Sequence, residues 1–281
     1  MNGLKTAFLL GLLSAILLVG GQAIAGRQGL EIALVMAVVM NFVSYFFSDK
    51  IALSMYSAQP VTPDQNSEVY GRVYPIVAGL CQRMGVPMPK LWLIPDVSPN
   101  AFATGRNPSH ASVAFTAGIL QLMSDSEIEG VVAHELGHVL HRDILISSVA
   151  ATLAAALTRL AYIGMFFGGG RRDDEDEGGG VLGGIFMLIL APIAAMLIQM
   201  AISRSREYSA DAASAKYTGH PDFLIGALRK LEGGSRRFPL QADPATAHMF
   251  IIKPFTGRSM MNLFSTHPST EQRIARLEAM R

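Results

Sequence analysis

Two histidines and a glutamate lie together in the stretch His134-Glu135-Leu136-Gly137-His138. On an α-helix, residues i and i+4 share one face about one turn apart, so both imidazoles can reach the same divalent cation. Glu135 is rotated by about 100° from His134, close enough to contact a metal-bound water without binding the metal. Either histidine alone would be an ordinary surface or core residue. The spacing favours a zinc site with Glu135 as the catalytic base.

A catalytic zinc ion needs three protein ligands and a water, so a further ligand is expected. His141 lies seven residues after His134, about 10 Å along a helix axis, which is too far for one zinc ion to bind both. Glu207 is the better candidate for a site with one zinc per chain, and Asp211 shares its helix face. Asp211 is then predicted to accept a hydrogen bond from the distal nitrogen of a ligating histidine. In isolation, these charges also fit the solvated start of a helix.

The local pattern predicts the elements that carry this site. Ser124 and Glu127 form a capping-box pattern, and a helix with apolar residues at regular spacing follows. Leu91–Ile94 predicts a buried strand, and Ala111–Thr116 alternates in the manner of a half-buried strand. The expected fold is α+β, mainly helical, with a small β-sheet.

The composition indicates a membrane protein. Of 281 residues, 50% are apolar and 16% are charged, against about 25% charged in an ordinary soluble domain. A bilayer-spanning helix needs about 20 apolar residues. Four stretches are predicted to be transmembrane helices: Ala7–Ala25, Ile32–Phe47, Ile144–Gly168 and Val181–Ile202. The third contains Arg159. Placing an arginine in the lipid core costs about 2.5–3.5 kcal/mol of free energy, so that segment either shields the arginine from lipid or enters the membrane without crossing it.

Charge and cysteine content narrow the function classes. The 22 acidic and 23 basic residues leave a net charge of +1, which excludes a nucleic-acid binder driven by overall charge. A single cysteine excludes an intramolecular disulfide framework. The first apolar stretch also resembles a cleavable signal peptide, but its length and the second stretch close behind favour a retained hairpin.

The order of the segments constrains topology. His138 and Glu207 must lie on one side of the membrane, so the two apolar segments between them either both cross it or both fail to cross. Lys5 and Lys50 place that side in the cytoplasm by the positive-inside rule. The predicted organisation is a hairpin (1–48), the first part of a catalytic domain (49–143), a second hairpin with an acidic loop at 169–180 (144–202), and the second part of that domain (203–281).

Further stretches accompany the pentapeptide, and with them the sequence can be compared with a known family. They are Pro99–Gly105, Val113–Phe115, Arg142-Asp143, Glu207–Asp211, Pro244–Phe250 and Leu263–Pro268. With these, nearly the whole chain resembles the HtpX-type membrane zinc peptidases, gluzincins related to the CaaX prenyl endoproteases. The resemblance implies a multi-pass protein of the bacterial inner membrane, with its active site facing the cytoplasm. It also implies that the protein cleaves unfolded, misfolded or damaged membrane proteins.

The resemblance implies further roles. Asn100, Ala101, Phe102 and Ala103 correspond to the family's edge strand, which would bind an extended substrate by adding it to the sheet; Phe102 by itself is typical of a core residue. His267 corresponds to a late histidine that donates to the oxyanion, with Arg273 supporting it. An ordinary helix-start residue before Pro268 explains His267 equally well.

Two other functions remain as alternatives. An intramembrane metalloprotease is disfavoured because Asp125, Glu127 and Glu129 make the metal-binding helix too charged for lipid. A non-catalytic scaffold or chaperone with structural zinc is disfavoured because such sites usually have four ligands rich in cysteine, and Cys81 stands alone. The expected partners are substrate proteins and the lipid bilayer, with no nucleic acid; the sequence does not predict the oligomeric state.

Overall fold

The computed structural model describes residues 2–154, 203–237, 251 and 268–281. Three predicted features lie outside these residues: His267, Arg159 and the acidic loop at 169–180. Most of the predicted second hairpin also lies outside them, and only its first turns, Ile144–Ala154, are described.

The N-terminal region forms a helical hairpin. Helix α1 (Asn2–Met55) is interrupted at Ala25 and Gly26, where the backbone leaves the helical conformation and Gly26 adopts φ 56°. The two segments, Gly3–Gln22 and Ala25–Met55, are each long and apolar enough to cross a membrane. The second segment continues past Lys50, so its last turns extend beyond the predicted hairpin.

The second segment of the hairpin buries mainly small residues and exposes many large ones. The buried residues of its second segment include a stripe at helical spacing: Ala33, Ala37, Ser44, Ser48 and Ala52. Large apolar residues such as Val35, Val38 and Phe42 are more than half exposed, as expected for a helix that faces lipid. On the first segment, Leu9 and Leu13 pack against α5 (Ile144–Ala154).

A four-stranded mixed sheet forms one layer of the domain. Its strands are β1 (Gln59–Pro60), β2 (Lys90–Ile94), β3 (Ala101–Gly105) and β4 (Ala111–Thr116), in the order β1-β2-β4-β3. β2 and β4 run parallel, whereas β1 and β3 pair antiparallel with their neighbours. A short 3-10 turn, Pro108–His110, connects β3 to β4.

Strand β4 is buried on both faces, so the predicted half-buried strand is wrong in this respect. Val113 and Phe115 belong to the main core. Ala114 faces the other way, into a separate cluster with Ala52 and Leu53 from the last turns of α1. The membrane hairpin therefore covers the sheet face that the alternating pattern assigned to solvent.

The remaining described helices include one that contacts several of the others. They are α2 (Ser67–Met84), α3 (Ala117–Leu122), α4 (Asp125–Leu140), α6 (Arg204–Thr218), α7 (Pro221–Arg237) and α8 (Thr270–Glu278). Helix α4 contacts α2, α6, α7 and β3. The predicted α+β class, mainly helical with a small sheet, is confirmed; of the four predicted transmembrane helices, the described residues contain two candidates.

One glycine sets the distance between α4 and α6. A Cβ atom on Gly137 would lie 3.1 Å from the Cα atom of Ala210, tighter than most side-chain contacts. Because Gly137 carries no side chain, α6 can approach the face of α4 that bears the two histidines. This approach brings two distant parts of the chain together at the candidate site.

Candidate metal centre

The helix that carries the two histidines begins at a fixed point. The Glu127 side chain accepts a hydrogen bond from the Ser124 amide at 2.8 Å, and Ser124 Oγ accepts one from the Glu127 amide at 3.4 Å. This is the capping box that the sequence predicts. From there α4 runs without interruption to Leu140, with Val132 and Leu136 fully buried. The cap and the core packing hold His134 and His138 one turn apart on a rigid element.

Three potential ligands converge between α4 and α6. His134 Nε2 lies 3.8 Å from one Glu207 oxygen, and His138 Nε2 lies 3.6 Å from the other. Ligand atoms from all three residues lie within 4.8 Å of one another. Zinc–ligand bonds of about 2.0–2.1 Å in a tetrahedron place ligand atoms roughly 3.4 Å apart. The two histidine–glutamate separations are close to this value, so the three residues could hold such an ion after a small adjustment. In the described part of the chain, no other group of His, Cys, Asp or Glu converges in this way.

The first histidine is held by a buried carboxylate. His134 Nδ1 lies 3.0 Å from Asp211 Oδ1, and both side chains are 1% exposed. A proton on Nδ1 then points at Asp211 and leaves Nε2, which lies 3.8 Å from Glu207, without a proton. Asp211 therefore lies where its four-residue spacing from Glu207 predicts.

Arg273 closes this side of the site. Its guanidinium donates to both carboxylate oxygens of Asp211, at 2.6 and 3.0 Å, and to the Ile251 carbonyl oxygen at 2.8 Å. Burial favours a protonated Asp211, but the Arg273 charge and the His134 hydrogen bond dominate and lower the pKa of that carboxyl group. Burial, together with the charge of Arg273, lowers the pKa of His134. The resemblance implies that Arg273 supports His267, which lies outside the described residues; within them, Arg273 holds Asp211.

The second histidine has a carboxylate partner that the sequence analysis did not assign. The chain reverses after α4 at Arg142, whose φ is 58°, and the Asp143 amide donates to the His138 carbonyl at 2.8 Å. This reversal brings Asp143 Oδ2 to 3.4 Å from His138 Nδ1, and Arg206 lies 3.9 Å from the other oxygen. An aspartate just past the end of a metal-binding helix was the signal that could have identified this contact.

The protonation of His138 reflects its acidic surroundings. Burial opposes the charged imidazole, but the hydrogen bond to Asp143 and the nearby Glu207 and Glu135 carboxylates raise the pKa of His138 to about 9. A metal ligand must be the neutral imidazole. A cation that enters this site therefore has to displace a proton from His138.

Glu135 lies beside the three potential ligands and has a single described hydrogen bond. The Ala103 amide donates to Glu135 Oε2 at 2.8 Å, and the glutamate is 5% exposed. Burial raises the pKa of Glu135 to about 7, although the His138 charge and the Ala103 amide act in the opposite direction. A carboxylate with a pKa near neutrality can both accept and return a proton, as a general base requires.

The proposed substrate strand lies at the edge of the sheet but is enclosed. Asn100, Ala101, Phe102 and Ala103 are each at most 8% exposed. The Asn100 carbonyl pairs with the Thr116 amide of β4, whereas the outward amide of Ala103 is taken by Glu135. Phe102 packs against Tyr56, with ring centroids 5.9 Å apart, and is a core residue in this structure. An extended peptide can pair with this edge only after the Glu135 contact opens.

The sequence is similar to a known peptidase family and to named proteases. The sequence model of peptidase family M48 matches residues 68–281. A "Protease HtpX homolog" of Desulfatibacillum aliphaticivorans is 53% identical over 100% of this chain and 90% of that protein. Another of the same name, from Thermodesulfovibrio yellowstonii, is 50% identical over 100% of this chain and 99% of that protein.

The fold also has a solved counterpart. The crystal structure of Ste24p from S. mikatae superposes with a TM-score of 0.54 at 18% sequence identity. The match covers 99% of this chain but 65% of the length of that protein. At this identity the likeness concerns the fold alone.

Proposed function

Because the chain belongs to peptidase family M48 and is a membrane metalloprotease, we propose that it binds one zinc ion through His134, His138 and Glu207. It then hydrolyses peptide bonds in misfolded or damaged membrane proteins. The observation that carries this proposal is the convergence of the three side chains within 4.8 Å. The two Nδ1 atoms that face carboxylates support it, because each Nε2 atom is then the nitrogen left for a cation, that of His138 once its second proton has been displaced.

Bound zinc supplies a Lewis acid that polarises the scissile carbonyl and acidifies a water molecule. Glu135 accepts the proton of the attacking water and delivers it to the nitrogen of the departing amine. Asp211 and Asp143 hold the two imidazoles in the orientation and tautomer that the cation needs. His267 is proposed to donate a hydrogen bond to the oxyanion that the carbonyl oxygen becomes when water attacks, in a gluzincin-like arrangement.

We further propose that the domain lies on the cytoplasmic side of a bacterial inner membrane, with the N-terminal hairpin retained and a second hairpin formed by 144–202. Lys5 and Lys50 flank the first hairpin on that side. In this arrangement an extended substrate pairs with Asn100–Ala103 and displaces Glu135 from the Ala103 amide. The carboxylate is then free to act on water.

The test uses the full-length protein in detergent, with zinc content and cleavage of casein as the two measurements. Glu135→Gln is expected to retain zinc and lose activity by about 10²–10⁴-fold, the usual contribution of a general base. Glu207→Ala is expected to lose both zinc and activity. Glu129→Gln, on the exposed side of the same helix, is the matched control and should behave like the parent.

Two outcomes would contradict the proposal. One is a zinc-loaded Glu135→Gln variant that cleaves as fast as the parent protein. The other is a Glu207→Ala variant that keeps full zinc occupancy and activity, because Glu207 then cannot be a ligand.

A further inference from the structure

Exposed aromatic side chains cluster near the end of the second apolar segment. Phe42, Tyr45, Phe46 and Phe47, the aromatic collar, are 55%, 37%, 41% and 39% exposed. Phe46 contacts Phe42 and Tyr45 with ring centroids 4.7 and 4.9 Å apart. In a soluble domain, aromatic rings of this size are usually buried. An exposed tyrosine near the end of an apolar span, such as Tyr45 here, is typical of the level where the membrane meets water.

Two cations from different parts of the chain lie over these rings. Lys50 Nζ is 5.2 Å from the centroid of Phe47, and the Arg106 guanidinium is 5.4 Å from that of Phe46. Neither cation forms an ion pair with any residue of the described ranges. Asp49 adjoins Lys50 in sequence, but consecutive residues on a helix do not face each other. The collar therefore carries two positive charges that no described carboxylate compensates.

The surface suits an amphiphile with a negatively charged head. Toward the bilayer, Val35, Val38 and Val39 are 54% to 65% exposed, which provides an apolar track for acyl chains. Above that track, Lys50 and Arg106 offer ammonium and guanidinium donors to phosphate oxygens. We propose that the aromatic collar with Lys50 and Arg106 binds the headgroups of anionic phospholipids, with acyl chains lying along the valines.

Such a site would fix the depth of the catalytic centre. Arg106 directly follows β3, three residues after Ala103, and three residues of a strand span about 10 Å. The Ala103 amide in turn holds Glu135. A headgroup bound at Arg106 therefore places the membrane surface beside the strand that contacts the general base. Lipid binding requires no catalysis, so its failure is distinguishable from failure of the proposed function.

The experiment measures lipid retention by native mass spectrometry of the full-length protein in detergent. Delipidated protein is titrated with phosphatidylglycerol or with phosphatidylcholine of the same acyl chains. The parent protein is expected to prefer phosphatidylglycerol, and Lys50→Gln/Arg106→Gln to lose that preference by roughly five-fold for each cation removed. Lys216→Gln/Arg276→Gln is the matched control, because these cations also lie over aromatic rings, those of tyrosines, but belong to α6 and α8.

The outcomes separate the possible explanations. Equal binding of the two lipids by the parent, or an unchanged preference in Lys50→Gln/Arg106→Gln, would overturn the proposal. So would an equal loss in the control, which would indicate a general charge effect. An excess of inorganic phosphate should not displace the lipid; displacement would indicate a free-phosphate site instead. Equal zinc content in the three proteins verifies that the substitutions left the fold intact.

Discussion

The catalytic domain and the membrane hairpin both bury polar side chains, but they do so in opposite ways. In the domain, Arg273 donates hydrogen bonds to both carboxylate oxygens of Asp211, which also contacts His134. In the hairpin, one neutral hydrogen bond of 2.9 Å joins Asn41 to Ser14. The Asn41 side-chain oxygen has no hydrogen-bond partner in the described structure, and in the domain the same is true of Asn100 Nδ2, Trp92 Nε1 and the terminal nitrogens of Arg206.

The difference follows from what each region has to achieve. The candidate metal centre holds several charges away from water. Removing one of them leaves its partner as an uncompensated charge in a medium of low dielectric constant. The hairpin needs only close contact between two helices in lipid, where packing of small residues contributes more than a polar bond. The domain is therefore expected to be sensitive to loss of a charge, and the hairpin to gain of volume.

The largest expected effect on stability is that of Arg273→Met, which leaves the buried Asp211 carboxylate without its cationic partner. Breaking a buried pair costs about 3–5 kcal/mol, and for a domain of this size the midpoint of thermal unfolding should fall by roughly 10 °C. Arg229→Met is the control, because its pair with Glu278 is exposed and worth at most about 1 kcal/mol. An equal fall of the unfolding midpoint in the two variants would mean that burial of the ion pair does not increase its contribution to stability.

A smaller effect is expected for Asp143→Asn, at the junction between the metal-binding helix and the apolar helix α5. The asparagine keeps the shape but removes the charge that orients His138, so zinc affinity should fall about 10–100-fold. Competition with a chromophoric chelator measures this affinity. Asp64→Asn, at an exposed position, should leave the zinc affinity unchanged. If the affinity is also unchanged in Asp143→Asn, Asp143 has no part in zinc binding.

A larger side chain at the contact between the two hairpin helices should weaken their packing more than the loss of a polar side chain does. A Cβ atom on Gly29 would lie 1.9 Å from the carbonyl oxygen of Gly21, so Gly29→Leu must separate the two segments, at a cost of about 1–3 kcal/mol. Disulfide formation between cysteines placed at Ser14 and Asn41, in a Cys81→Ser background, reports the separation. Gly11→Leu, whose Cβ meets nothing within 4 Å, should cross-link like the parent. Efficient cross-linking in Gly29→Leu would show that the helices tolerate the added bulk.

The smallest effect is expected for Asn41→Leu. It removes the one Ser14 bond, and such bonds between membrane helices are worth about 0.6 kcal/mol on average. The unfolding midpoint in detergent should therefore remain within about 2 °C of the parent value. A loss as large as that of Arg273→Met would contradict the contrast between the two regions.

Much of the site was predictable because it follows from local rules. The capping pattern of Ser124 and Glu127 starts the helix, and helical spacing alone puts His134 and His138 on one face. Glu207 and Asp211 were predicted from the same four-residue spacing on a second helix. The partner of His138 was not predicted, because the left-handed turn at Arg142 that brings Asp143 back has no strong sequence signal. Arginine in this conformation is uncommon, and neighbouring contacts determine it.

Burial was predicted least well. The alternating pattern of Ala111–Thr116 is compatible with solvent on one side, and nothing local reveals that the last turns of α1 cover it. Likewise, the enclosure of the strand Asn100–Ala103 depends on Glu135 reaching the Ala103 amide from another element.

The sequence by itself determined the family, the placement of the two pentapeptide histidines on one helix face and the apolar character of the N-terminal helices, since these depend on residue type and short spacing. The tertiary structure alone decided which charges compensate one another. Arg273 lies 62 residues from Asp211 in the chain, and only the packing of α8 on α6 brings the two within hydrogen-bonding distance. Electrostatic pairing acts across space in a low dielectric, and separation along the chain contains no information about it.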